Sequence, residues 1–245
     1  MIDITANVRA DLTPTGKLRA GVYYGNFILA IKDQITGKSS GVAIDLLYHL
    51  AQRLGAPPEI IAYDSVPVMG DVASSNVWDI AFLGSDPERE KFMSFTPAYL
   101  EVNATYLVPN ASPFRTATEV DRKGVRIAAS ARSGYELFLS RNLKHAQLVS
   151  AQGPDAAFDL LVTGKVDALA GLMQVLLNRI EKLPGARILD GRFMAVQQVI
   201  AVPKGRDAGL AYLRHFVEEV KTSGLVARAI ERLGVLGVSV APPSL

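Results

Sequence analysis

Residues 78–101 read WDIAFLGSDPEREKFMSFTPAYLE. The apolar run Ile80-Ala81-Phe82-Leu83 suits a buried strand and is too short for a helix. Gly84, Ser85 and Asp86 stop it, Pro87 can open a helical turn, and Arg89 follows five positions after the glycine. Two readings fit. In one, Asp86 caps an ordinary helical turn and Arg89 is a surface cation. In the other, backbone N–H groups, a helix start and a guanidinium converge on an anion. The local pattern alone favours the cap.

Working outward, strands and helices alternate. LRAGVY (18–23) reads as a strand, and residues 25–41 as a loop or hairpin turning at Thr36-Gly37-Lys38. Val42 to Leu54 is a helix, with apolar positions 43, 46, 47, 50 and 54 on one face and Gly55 at its end. EIIAY, IAFL, EVNATYLVP, VRIAAS, AQLVSA, VDALAGL and QQVIAVP read as strands, with helices between most of them. Two long helices follow from Asp207. No repeat appears at the level of residue identity. The expected class is α/β with two mainly parallel sheets flanked by helices. The β-rich stretches 101–109 and 197–204 bracket a βαβαβ block. Residues 102–206 are therefore expected to form an inserted lobe, and 1–101 with 207–245 the other. Two crossings would make a hinge, and a ligand cleft between lobes is the expectation.

Composition narrows the function. The 245 residues include 49% hydrophobic ones, enough for a sizeable core, and 26 basic against 24 acidic residues leave a net charge of only +2. A nucleic-acid surface would want a basic excess, so none is expected. There is no cysteine, which removes thiol catalysis and zinc–thiolate sites. His49, His145 and His215 have no second histidine at ligand spacing, so neither a metal nor another cofactor is expected. The N-terminal stretch MIDITANVRADLTPTGKLR lacks a basic and apolar leader, and no apolar run reaches the roughly 20 residues of a membrane span.

Six motifs in order, from Leu18 to Gly234, resemble the bacterial extracellular solute-binding proteins of family 3, which serve ABC-type amino-acid importers. They are LRAGVYYGNF, GVAIDLLYHLAQRLG, the opening stretch with its P-E-R turn and F-x-P-x-Y segment, GVRIAASARSGYELFL, TGKVDALAG and VPKGRDAGLAYLRHFVEEVKTSG. The resemblance implies a type II periplasmic-binding-protein fold, a clamp of two lobes that close on a small ligand without catalysis. It implies that Arg89 holds a carboxylate beside Gly84 and Asp86, and that the second lobe contributes Ser133 and Gly134. With it, the anion reading of Arg89 overtakes the capping one. The implied partners are an amino-acid-like or other carboxylate ligand and a membrane permease, the protein acting as a monomer. The implied location is periplasmic; the chain as written carries no export signal and would otherwise be cytoplasmic.

Three positions depart from the family pattern. Asp86 replaces a threonine; it can orient Arg89, repel a carboxylate, or cap the turn. Leu172 stands five residues after Asp167, where the family places an aspartate for the ligand's ammonium, and Gln174 is the candidate substitute. Arg132 precedes the Ser133-Gly134 turn; aimed at the ligand it would favour a dicarboxylate, and on the rim it would be solvated. Tyr23, Tyr24, Asn26 and Phe27 are candidates for the first ligand loop, and Tyr135 and Glu136 for the second-lobe helix start. Tyr99 and Trp78 are expected to pack, and Asp45 to be a helix-cap or structural aspartate rather than a ligand residue. Two alternatives stay open: a cyclohexadienyl-dehydratase-like enzyme using Glu136 or Asp86 as general acid, and a ligand-sensing module without transport.

Overall fold

The computed structural model describes residues 3–244; Met1, Ile2 and Leu245, which the expected first lobe also includes, lie outside them. The chain divides into two compact units. Unit 1 comprises Met1–Glu101, Gln197–Val235 and Ser239–Leu245, and unit 2 comprises Val102–Val196 with Leu236–Val238.

In unit 1, α1 (Ala6–Leu12) is capped by Thr5, whose hydroxyl accepts from the Val8 N–H. The sequence reading had no helix there, because seven residues are too few to show a period. Strand β1 (Leu18–Tyr23) follows. A small hairpin of β2 (Ile31–Lys32) and β3 (Ser39–Ser40) comes next, its turn tied by the Asp33 carboxylate to the N–H groups of Ile35 and Thr36. Helix α2 (Val42–Leu54) buries its apolar stripe and stops at Gly55, whose φ of 62° is the left-handed end that glycine tolerates. Then come β4 (Pro58–Tyr63), α3 (Val66–Asp71), β5 (Ile80–Gly84) and β6 (Met93–Phe95). Strand β7 (Leu100–Pro109) runs on into unit 2.

Unit 2 continues with β8 (Arg126–Ser130), α4 (Gly134–Asn142), β9 (Gln147–Ala151), α5 (Pro154–Val162), β10 (Ala168–Leu172), α6 (Met173–Ile180) and β11 (Ala186–Ile188). Strand β12 (Met194–Pro203) leads back, and unit 1 ends with α7 (Asp207–Thr222), α8 (Leu225–Leu233) and part of β13 (Val238–Val240).

The return to unit 1 falls at Gln197 rather than at 207, because Gln198 to Ala201 pair antiparallel with Gly84 to Ala81 of β5. A short excursion that the sequence reading lacked puts Leu236–Val238 with unit 2. There the Asn103 N–H donates to the Gly237 carbonyl at 2.8 Å.

Each unit repeats one topology. In unit 1 the parallel strands run β4-β1-β5, with β12 antiparallel beside β5. In unit 2 they run β9-β8-β10, with β7 antiparallel beside β10. The likeness extends to one side-chain motif. Arg19 donates to Asp79 from its backbone N–H, Nε and Nη2 at 3.0, 3.0 and 2.7 Å. Arg126 does the same to Asp167 at 2.8, 3.1 and 3.0 Å. Each pair ties the start of a unit's first parallel strand to the residue just before its third. The repeat was invisible as identity because only an arginine and an aspartate in each unit carry it.

Strand alternation sorts the core of unit 2 onto two faces. Ile127, Ala129, Ala168, Ala170, Tyr106 and Val108 pack with Leu139 of α4, whereas Ala128, Leu169 and Leu107 pack with Phe158 and Leu161 of α5. In unit 1, Ala81 and Leu83 pack with Met69 and Trp78, and the Trp78 indole N–H donates to the Met69 carbonyl at 3.2 Å. Trp78 and Tyr99 are both buried, as expected. No helix among the described residues is long and apolar enough to cross a membrane.

Candidate functional site

The five residues of β5 are all buried, and the strand ends at Gly84. The chain then folds over Asp86, whose Oδ1 accepts from the Glu88 N–H at 2.9 Å and whose carbonyl accepts from the N–H groups of Arg89 and Glu90 at 3.0 and 3.2 Å. Asp86 is 5% exposed. It therefore organises the turn into the short 3-10 helix Arg89–Lys91, which is the capping reading of this aspartate. The turn returns Arg89 to the strand end, where its Nη1 donates to the Gly84 carbonyl at 2.6 Å. Capping and cation placement are thus one arrangement: Gly84, Asp86 and a half-buried Arg89 come together. A guanidinium presents five N–H donors in a planar fork suited to a carboxylate.

In the first loop the Tyr24 hydroxyl is 2.7 Å from the Ser39 hydroxyl, so this ring is braced by the hairpin. The Asn26 carbonyl accepts from the N–H groups of Leu29 and Ala30 at 2.9 and 3.0 Å. Its side-chain Oδ1 is buried without a hydrogen-bond partner among the described residues, an acceptor that a ligand donor or a water would satisfy. Phe27 is half-buried. Gly25 leaves room for its neighbour: a Cβ there would lie 2.0 Å from the end of the Tyr23 ring, which would have to turn away.

In unit 2, β8 ends at Ser130 and the turn runs through Arg132, in the left-handed region at φ 58°. Ser133 caps α4, its Oγ accepting from the Glu136 N–H at 3.2 Å, and Gly134 opens the helix. Arg132 is exposed. Glu136 is 8% exposed and both its oxygens are engaged: Oε2 accepts from the Arg132 N–H at 3.0 Å and Oε1 from the Ser150 hydroxyl at 2.6 Å. The Ser-x-x-Glu spacing is a capping signature that the sequence reading did not use. Tyr135 packs against the core beside Phe138 and Phe193. Gln174 is committed elsewhere: its Oε1 accepts from the Leu236 N–H at 2.9 Å, a partner 62 positions away that no local pattern marks. Leu172 closes β10 and leads directly into α6. Asp45 pairs with Arg232 at 2.5 Å, a structural role as expected.

The fold is that of the two-lobed periplasmic binding proteins, on the evidence of several solved structures. An amino-acid ABC transporter substrate-binding protein from Streptococcus pneumoniae, bound to L-arginine, superposes with a TM-score of 0.74 at 22% identity, covering 97% of this chain and 100% of that one. The periplasmic VFT2 domain of Bordetella pertussis BvgS gives 0.76 at 19% identity, covering 93% and 97%. An ancestral amino-acid-binding protein, described as a precursor of cyclohexadienyl dehydratase, gives 0.73 at 21%, covering 91% and 96%. None of the curated protein sequences compared with the chain matches it. The family model of the bacterial extracellular solute-binding proteins, family 3, matches residues 27–234, and the chain belongs to that family.

Proposed function

We propose that this protein captures a small carboxylate-bearing solute and delivers it, outside the cytoplasm, to the permease of an ABC-type importer. The observation that carries the reading is the Arg89 guanidinium seated on the Gly84 carbonyl at a strand end, where a cap built on Asp86 holds it. Family membership supports solute capture. Within unit 2, the α4 N-terminus carries Ser133 and Gly134, the positions that the family resemblance assigns to ligand, and the exposed Arg132 precedes them. Leu172 offers an α-ammonium no carboxylate, and Gln174 is bonded to Leu236. The ligand class that fits is a carboxylate without a free α-ammonium, or a dicarboxylate. The enzymatic alternative fares worse, since Glu136 has both oxygens engaged and the Asp86 carboxylate organises its own turn.

The test is mass spectrometry of small molecules released when purified protein is denatured, followed by calorimetry with the compound found. Arg89→Ala is expected to weaken binding about 10- to 100-fold, the loss of a charge-assisted hydrogen bond, while the free protein still melts cooperatively, with its stability lowered by about 1 kcal/mol for the lost bond to the Gly84 carbonyl. Unchanged affinity in Arg89→Ala would refute the site. A released compound that is cationic and lacks a carboxylate would refute the ligand class.

A further inference from the structure

Unit 1 contains a cavity of about 500 Å³ that none of the preceding residues explains. Strand alternation decides which face of the sheet it lies on. On β12, Gln197 and Val199 line the cavity, whereas Gln198 between them does not. Gln198 is the register partner of Gly84, and paired residues of a sheet share a face. The cavity therefore opens on the face opposite to that of Gly84.

Its frame is pinned. The Ser85 N–H donates to the Gln197 carbonyl at 2.8 Å, and Thr96 exchanges backbone and hydroxyl bonds with Ile200 at 3.0 Å. Phe95, Pro97 and Val199 make an apolar wall. The polar residues of the lining are Ser85, Glu90, Thr96, Gln197 and Arg214; the Thr96 hydroxyl is bonded to the backbone and the Gln197 amide to Glu101, and the charged ones are Glu90 and Arg214. Among the described residues Glu90 and Arg214 form no ion pair with each other or with any other group. A wall with one base and one acid disfavours a simple anion, which Glu90 repels, and a simple cation, which Arg214 repels. It suits a molecule carrying both charges beside an apolar group.

We infer that this cavity is a second ligand site, for a small zwitterion with an apolar side: an α-amino acid, its carboxylate on Arg214 and its ammonium on Glu90. It stands apart from the proposed carboxylate site and uses none of that site's charged residues.

The test uses the full-length Arg89→Ala protein, so that the first site is disabled, and calorimetry with each standard L-amino acid in turn. At least one apolar amino acid is expected to bind saturably at one per chain. Its N-acetyl derivative and its decarboxylated amine should each bind at least about tenfold more weakly. Arg214→Gln and Glu90→Gln, both at exposed positions, should each weaken the amino acid by a similar factor without shifting the melting curve. If no standard amino acid saturates the Arg89→Ala protein, or if both glutamine variants bind as well as it does, the second site does not exist. The two proposals fail separately: binding abolished by Arg89→Ala alone leaves only the carboxylate site, and binding abolished by Arg214→Gln alone leaves only the second.

Discussion

At the scale of single residues, two carboxylates that sequence reading offered as acids turn out to build turns. Glu136 takes hydrogen bonds from Ser150 and Arg132 while nearly buried. Removing it breaks both bonds, although Ser150 and Arg132 are themselves exposed, so water can take over the freed hydroxyl and N–H. Glu136→Ala is therefore expected to lower the unfolding free energy by about 1–3 kcal/mol in urea titration, the net worth of two hydrogen bonds, and Glu136→Gln by less, since the amide oxygen keeps one acceptor. A dehydratase acid would behave otherwise: its glutamine variant would abolish turnover while melting normally. The capping of Asp86 was legible, because Ser-Asp-Pro-Glu is a local signal. The double seat of Glu136 was legible only in part: Ser133 is three positions away, but Ser150 is 14 positions away on another strand.

At the scale of elements, the two arginine–aspartate clasps occupy equivalent places and differ in burial. The Arg19 and Asp79 side chains are 17% and 0% exposed, those of Arg126 and Asp167 42% and 40%. Bonding to Asp79 raises the Arg19 pKa, and bonding to Arg126 holds Asp167 below its ordinary value. Breaking the buried clasp with Asp79→Ala strands a charge out of water and is expected to cost about 3–5 kcal/mol. Asp167→Ala should cost clearly less, because water takes over the freed guanidinium. Equal losses in paired denaturant titrations would contradict this ranking.

A second element-scale contact sets a pH dependence between α2 and α7. The Arg53 Nε donates to the His49 Nε2 at 3.1 Å, and Arg53 bonds Glu219 through both outer nitrogens at 2.7 and 2.5 Å. The His49 ring also lies 6.0 Å from that of Phe216. Partial burial and the neighbouring Arg53 lower the His49 pKa below 6.5, with Glu219 opposing. The neutral ring is thus favoured in the folded chain. Its contribution is complete above pH 6.5 and is lost as pH falls from there through the lower folded value. Thermal melts from above neutrality to about pH 5 should show the wild type losing stability relative to His49→Gln. Parallel curves would rule the histidine out.

At the scale of the whole molecule, two units of one topology share a chain that leaves and re-enters unit 1, and the last residues tie back to both. Lys221 Nζ donates to the Pro242 carbonyl at 2.8 Å within unit 1, and Gln174 holds Leu236 within unit 2. Ending the chain at Gly234 removes both bonds, the bond from the Asn103 N–H to the Gly237 carbonyl, and strand β13. A loss of about 2 kcal/mol is expected, or roughly 4–8 °C in Tm for a chain of 245 residues. An unchanged melting curve would show that the closing segment is dispensable. By mass action, the captured solute should raise Tm in the wild type and much less in Arg89→Ala.

The sequence by itself determined the alternation of strands and helices, the ends of α2, the strand stop at Gly84 and the turn that follows it. Those features depend on side-chain periodicity and backbone conformation within a few residues. Only the tertiary structure decided that Arg89 folds back onto Gly84, that Gln174 is taken by Leu236, that Glu136 is saturated, and that Glu90 and Arg214 line one cavity. Their partners or neighbours are mostly brought in from distant strands and helices. A pairing of that kind depends on which strands become neighbours, and strand adjacency is settled by burial of the whole sheet, which no short window of sequence contains.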